Sequence, residues 1–289
     1  MANTRQIKRR ITASQNIAKI TKAMEMVAAS KMKRAQEQAL AARPYSQALA
    51  ESLQKVSALT DSSLHPLLSY HDDGKDIALL LSTEKGLCGS LNTTLFKALL
   101  HWFEAHPHGE VIAIGKKGTA FCRIAGLPLY AQFTSLPEKI KTSDILPITS
   151  LVMDEFLKGN FRSVTLFYTD FINTLSQKLQ TYQLLPMQPA DDFANEAMIT
   201  PAITAEYTFE PDATTILDSL LPYYVENAMY HAFLESRASE QSARMVAMKN
   251  ASENASDLVS ELKLVFNKSR QASITSELLD ITTASMTAS

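Results

Sequence analysis

Glycine is scarce in this chain and missing from both of its ends. Eight glycines occur in 289 residues, and all lie between Gly74 and Gly159. No proline precedes Pro44, and from Tyr223 to Ser289 there is neither glycine nor proline. These are the two residue types that most readily interrupt helices, so their absence excludes ends built from tight turns. Cysteine is almost missing too. Cys88 and Cys122 stand alone in apolar surroundings, which excludes a disulfide scaffold and fits a reducing compartment. No apolar run approaches the roughly 18 residues of a membrane span, so no direct span is expected. The formal net charge of −2 lacks the positive excess of a general nucleic-acid or membrane surface.

What remains at the ends is rich in Ala, Leu, Met, Glu and Lys, which are good helix formers. A helix from Tyr223 to Ser289 would be roughly 100 Å long. The whole chain packed into a globule would have a radius of gyration of only about 20 Å. Such a helix needs a partner along its length. Asn3 to Arg43 also reads as helix, with Pro44 as a kink or bend before the pattern resumes through Ala48 to Leu59. Two long terminal helices are the halves of an antiparallel coiled coil. Ile17, Ile20, Met24 and Val27 form the expected stripe on the first. Ala251, Ala255, Leu258, Leu262 and Val265 form it on the second. The first helix is strongly basic, with ten Lys/Arg in residues 1–43 against Glu25 and Glu37; the second is mildly acidic.

Between them, strand and helix signals alternate. Asp76–Thr83, Val111–Gly115, Leu129–Phe133 and Ser163–Ile172 read as strands. Leu91–Phe103, Thr119–Ala125 and Ile148–Leu157 read as helices, and Ser176–Leu185 reads as a strand returning through the Asn173–Thr174 turn. The alternation predicts a largely parallel sheet. The fold class is therefore α/β: a long antiparallel coiled coil of the N- and C-terminal helices plus a Rossmann-like middle domain. The divisions are residues 1–60, 74–190, a proline-bearing surface connector at 191–222, and 223–289.

No catalytic, cofactor-binding or metal-binding constellation emerges. Thr83–Asn92 (TEKGLCGSLN) joins a strand to a helix, where α/β folds bind phosphate. Its Gly86 and Gly89 fit neither dinucleotide nor P-loop spacing, and Gly115–Thr119 fails likewise. Both read as tight strand-to-helix turns. His101, His106 and His108 lack zinc spacing and read as an exposed helix end. Cys88 reads as a buried thiol. The Arg5–Lys33 basic run reads as a solvated or protein-facing surface, with a nucleic-acid scaffold as the competing reading. A small α/β enzyme with coiled-coil arms is the other. After Arg270 only Glu277 and Asp280 are charged and the end, Ile281–Ser289, is neutral, which predicts a tip enclosed by an apolar sleeve, with a disordered tail as the competing reading for 284–289.

Four segments carry a resemblance: ITKAMEMVAASKMKRAQ (Ile20–Gln36), STEKGLCGSLN (Ser82–Asn92), ASEQSARMVAMKNAS (Ala238–Ser252) and NKSRQASITSELLDI (Asn267–Ile281). Over essentially its whole length the chain resembles the γ subunit of rotary F-type ATP synthase, bacterial type. The resemblance implies a non-catalytic central-stalk rotor that transmits torque between a proton-driven c ring and a ring of three α and three β subunits. It implies α, β, ε and the c ring as partners, no nucleic acid, no cofactor, and a peripheral place at the cytoplasmic face of the bacterial inner membrane. ATP chemistry would belong to the β subunits. Lys22, Met24 and Glu25 match the segment that faces an acidic lever of β. Arg270, Gln271 and Thr275 match upper-shaft contacts to a β loop, with Glu277 and Asp280 in the same coupling region. Lys22, Arg9 and Arg10 are expected to add charge contacts to acidic β residues. One departure stands out: after Asp280 the family continues into Gly-Ala, whereas here Ile281-Thr282-Thr283 leads to Ala284-Ser285. An alanine there can continue the helix.

Overall fold

The computed structural model describes residues 4–57, 65–187 and 212–287. They divide into two compact units. Residues 30–243 form one; residues 1–29 with 244–289 form the other. Helices α1 (Thr4–Ser57) and α5 (Ala213–Thr287) contribute to both.

The larger unit is built on five strands in the order β3-β2-β1-β4-β5. These are β1 (Lys75–Leu81), β2 (Glu110–Ile114), β3 (Leu129–Phe133), β4 (Phe161–Phe171) and β5 (Gln177–Leu185). The first four run parallel and β5 is antiparallel to β4. Helices α2 (Leu91–Ala105), α3 (Lys116–Ala125) and α4 (Thr142–Leu157) make the crossovers. Parallel strands buried on both faces need apolar residues at every position, and β1 supplies Ile77-Ala78-Leu79-Leu80-Leu81. The period of two sends Ile77, Leu79 and Leu81 into one core with Ile148, Val152 and Phe156 of α4. Ala78 and Leu80 enter the other with Leu95 and Leu99 of α2 and Cys122 of α3.

Pro44 lies inside α1, which runs on to Ser57. One boundary differs from the sequence expectation. Helix α5 starts at Ala213 rather than Tyr223 and passes through Pro222. Its cause is a cap: Asp212 accepts the Thr215 amide at 2.9 Å and the Thr215 hydroxyl at 2.8 Å, satisfying groups that a helix start leaves orphaned. Leu217 and Leu221 are buried in these first turns, so tertiary burial outweighs the proline. Of the expected connector, 191–211 lies outside the described residues.

In the smaller unit, α1 and α5 form an antiparallel pair. The Ser252 hydroxyl donates to the Ala18 carbonyl at 3.2 Å. On α5 the buried seam is Met248, Ser252, Ala255, Val259 and Leu262, at alternating spacings of four and three. On α1 it is Ile7, Ser14 and Ala28, buried, with Ile11, Ala18, Thr21 and Glu25 half-buried between them. Ala255 and Leu262 were expected in the seam. Ile17, Ile20 and Val27 were expected there and are not: they are 52%, 59% and 55% exposed. Leu258 and Val265 also face outward. The helix carries two stripes of coiled-coil spacing. The one rich in Ala, Ser and Thr lets the backbones come within reach of a serine side chain, and the bulkier one is left on the surface.

Candidate functional site

Lys22, Met24 and Glu25 occupy one stretch of α1. Lys22 Nζ pairs with Glu25 Oε2 at 2.9 Å, three residues along the same helix. A pair of this spacing on a helix, with its lysine exposed, is worth about 0.2–0.5 kcal/mol, so little holds Lys22 back from an external acid. Met24 is half-buried, and Arg9 and Arg10 are exposed. Around them the outward Ile17, Ile20 and Val27 make an apolar stripe bordered by cations.

Arg270, Gln271, Thr275, Glu277 and Asp280 are all exposed on the last turns of α5. Continuing the antiparallel register from the Ala18–Ser252 contact at equal rise brings Thr4 level with Phe266, so among the described residues no second helix lies beside these turns. Ile274, Leu278, Leu279 and Ile281 are exposed as well. The hydroxyl groups turn inward. Thr275 donates to the Gln271 carbonyl at 3.0 Å, Thr282 to Leu278 at 3.0 Å, and Thr283 to Leu279 at 2.6 Å. Bonding back onto the preceding turn leaves the threonine methyls outward. The tip surface is thus apolar with sparse charge. Helix α5 continues through Ala284 to Thr287, as an alanine in place of glycine permits.

The two sets are not brought together. By the same register Lys22 lies level with Met248, and Arg270 follows about 33 Å further along α5 at 1.5 Å per residue. They are two separate faces of one helical element.

The strand-end loops form a third place of interest. In this strand order ligands sit beyond the carboxyl ends of the strands, where the order reverses between β1 and β4. Here that crevice is lined from the sheet by Ser82, Thr83, Gly115 and Thr169, and from α5 by Phe233, Ser236, Arg237 and Glu240. Only about 30 Å³ is left, room for one or two waters. Its polar groups serve the fold. The Ser82 hydroxyl donates to the Ile114 carbonyl and accepts the Gly118 amide, both at 2.7 Å. Asn92 Nδ2 donates to Thr83 Oγ1 at 2.7 Å. Gly115, at φ 95°, has the Ser82 carbonyl 2.3 Å from where a Cβ would stand. Both glycine segments are the tight turns the sequence predicts. Sequence reasoning missed that α5 fills the crevice: Arg237 and Glu240, 3.0 Å apart, fall within or beside the Ala238–Ser252 segment, and nothing in their spacing reveals a sheet end.

The remaining candidates are structural. His106 stacks on Trp102 with ring centroids 4.3 Å apart, while His101 and His108 are exposed. Cys88 is buried beneath Asn92. Burial pushes the Cys122 thiol up to about 11, away from thiolate chemistry. Among the described residues no cluster has the makings of a metal site, and no helix is long and apolar enough to cross a membrane.

The architecture defines a class: a terminal coiled-coil pair carrying exposed contact faces, combined with a doubly wound α/β domain whose ligand crevice is closed by its own helix. The family model described as ATP synthase matches residues 3–287. The ATP synthase gamma chain of Dehalococcoides mccartyi strain CBDB1 is 46% identical over 97% of both chains. That of Haemophilus influenzae strain PittGG is 40% identical over 97% of this chain and 98% of its own. Among solved structures, the rotor of the Euglena gracilis mitochondrial ATP synthase shares the fold, with a TM-score of 0.65 at 17% identity over 94% of this chain and 98% of that one. The central stalk of the Tetrahymena thermophila enzyme aligns with a TM-score of 0.60 at 24% identity, over 81% and 99%. The chain belongs to the ATP synthase gamma-chain family.

Proposed function

We propose that this chain is the central-stalk rotor subunit of a rotary ATP synthase, passing torque between an ion-driven c ring and a catalytic head of three α and three β subunits. The observation that carries the reading is the outer surface of the helix pair. A bulky apolar stripe on α1 and an apolar tip on α5 lie exposed, although buried apolar surface is worth about 25 cal/mol per Å². Both faces are long and narrow, as a shaft inside a sleeve requires. In this reading the chain contributes no catalytic group, and ATP is made and split on β.

Lys22 and Met24 face the acidic lever of β, with Glu25 in the seam holding Lys22 and with Arg9 and Arg10 adding charge contacts. Arg270, Gln271, Thr275, Glu277 and Asp280 meet β higher on the shaft. Charge at mid-shaft supplies angle-dependent contact, since electrostatic complementarity sets register more than affinity. The α/β domain binds ε and the c ring, and the subunit sits peripherally at the cytoplasmic face of the bacterial inner membrane.

The test is reconstitution with purified α and β subunits, followed by gel filtration and an ATPase assay. Co-elution with three α/β pairs and a gain in steady-state turnover are expected. Failure to form a complex, with all three chains folded, would sink the reading. A second assay reverses the charges of Arg9, Arg10 and Lys22 to Glu. Coupling of pumping to hydrolysis is expected to fall and its salt dependence to flatten.

A further inference from the structure

Strand β4 is longer than its neighbour on one side. Its pairing with β1 ends at Leu80 and Phe167, but β4 continues to Phe171, paired only with β5. Beyond Phe167 the other edge of β4 therefore presents backbone groups with no strand to receive them. In the buried interior such groups must find partners.

They find them on α5. Ser236 Oγ accepts the Thr169 amide at 3.4 Å, and the Ser239 hydroxyl donates to the Thr169 carbonyl at 3.0 Å. Glu235 Oε2 accepts the Phe171 amide at 3.3 Å. One helical turn on, the Ser242 hydroxyl donates to the Thr174 carbonyl at 2.6 Å and accepts Gln177 Nε2 at 3.4 Å. Glu235, Ser239 and Ser242 are buried. The spacings from 235 through 239 to 242 put them on one face of the helix. Side chains of α5 stand in for a missing strand.

Apolar packing is non-directional and by itself lets a helix slip or roll over a sheet. Hydrogen bonds to backbone are directional. Rolling α5 by one residue would bury several donors and acceptors without partners, which costs far more than the bonds gain. Serine is also a poorer helix former than alanine, so its repetition here is explained by the ladder.

We propose that this ladder is the torsional clamp of the subunit: Glu235, Ser236, Ser239 and Ser242 are positioning residues that lock the β4–β5 hairpin to α5, so that torque applied to the α/β domain passes into the shaft helix without slack. The proposal rests on the rotor reading above. It assigns the load path within the domain, which that reading leaves open.

The test uses the assembled complex, held by its α/β-subunit head, with a probe on Ile124→Cys. Ile124 is exposed on α3, whereas Cys88 and Cys122 are buried. The variance of the probe angle at rest measures torsional compliance. In the Ser236→Ala/Ser239→Ala double variant the variance is expected to rise at least about twofold, with exchange of the Thr169 amide about three- to tenfold faster, the range expected for the loss of a net hydrogen bond. Unloaded ATPase turnover should stay within about twofold. Ser260→Ala removes an exposed hydroxyl that bonds only within α5 and should change nothing. If the double variant does not assemble, Ser242→Ala carries the same readout. Faster exchange with unchanged angular variance would overturn the proposal, leaving only a capped strand edge. So would equal broadening in Ser260→Ala. A wild-type complex that hydrolyses ATP without rotating would instead overturn the rotor reading.

Discussion

Glu155 shows how much a single half-buried carboxylate can be tuned by its neighbours. Lys158, Asn160 and Tyr130 all hydrogen-bond to it, at 2.9, 2.7 and 2.8 Å, and draw its pKa from 4.5 to about 2. A carboxyl lowered by folding contributes stability above its unfolded value and loses it as pH falls through the folded one. Glu155→Gln is therefore expected to lower the thermal midpoint near neutral pH. The gap from wild type should close as pH falls from 4.5 towards 2; a gap that persisted unchanged would contradict the sign. Gly115 is the other residue whose identity is dictated locally. Gly115→Ala adds a Cβ against the Ser82 carbonyl at a positive φ. It should destabilise the chain by about 1–3 kcal/mol, measured by urea unfolding. That position was legible as a tight turn in the sequence; the neighbour that makes it intolerant, Ser82 across the strand ends, was not.

At the scale of elements, all five strands and the crossover helices were legible: β1 and β2, buried on both faces, leave uninterrupted apolar runs, whereas the edge strands β3 and β5 are only partly buried and show through their turns and spacing. Leu79→Ala, at a site with no exposure, is expected to cost about 2–5 kcal/mol in denaturant unfolding. Asp212→Ala should cost about 1 kcal/mol by loss of the α5 cap. That cap was readable as Asp followed by Ala213-Thr214-Thr215, but Pro222 drew attention to the wrong boundary. The seam was misread for a more general reason. Spacings of three and four mark a helical face without saying which of two such faces meets the partner. On α1 the choice fell to the small residues, since Ala18 and Ala28 permit a closeness that Ile17 and Ile20 do not. Amide exchange along α5 should follow the same logic, slow through Leu262 and fast from Asn267 onward, where no buried seam remains.

The molecule as a whole separates stability from contact. The α/β unit closes its own ligand crevice and buries two apolar cores, while the helix pair keeps Ile17, Ile20, Val27 and the aliphatic residues of its tip outside. Deleting residues 271–289 is therefore expected to leave the thermal unfolding of the α/β unit unchanged, within about 0.5 kcal/mol, while lowering turnover of the reconstituted complex. The candidate contact residues were legible only through resemblance. Lys22, Arg270 and Asp280 look like ordinary solvated side chains to composition and periodicity, because in the proposed rotor the atoms they would meet belong to other chains.

The hydroxyls folded back along the tip have a consequence for how such a part wears its load. Thr275, Thr282 and Thr283 spend their donors on carbonyls of their own helix, so a wall surrounding the tip meets methyl and aliphatic carbon at most headings. Dispersion between such surfaces is weak per atom and nearly indifferent to direction. In the proposed rotor, a tip of this kind would work as a greased bearing, keeping the axis centred, resisting turning little, and leaving the stopping angles to be written lower down, where the charges are.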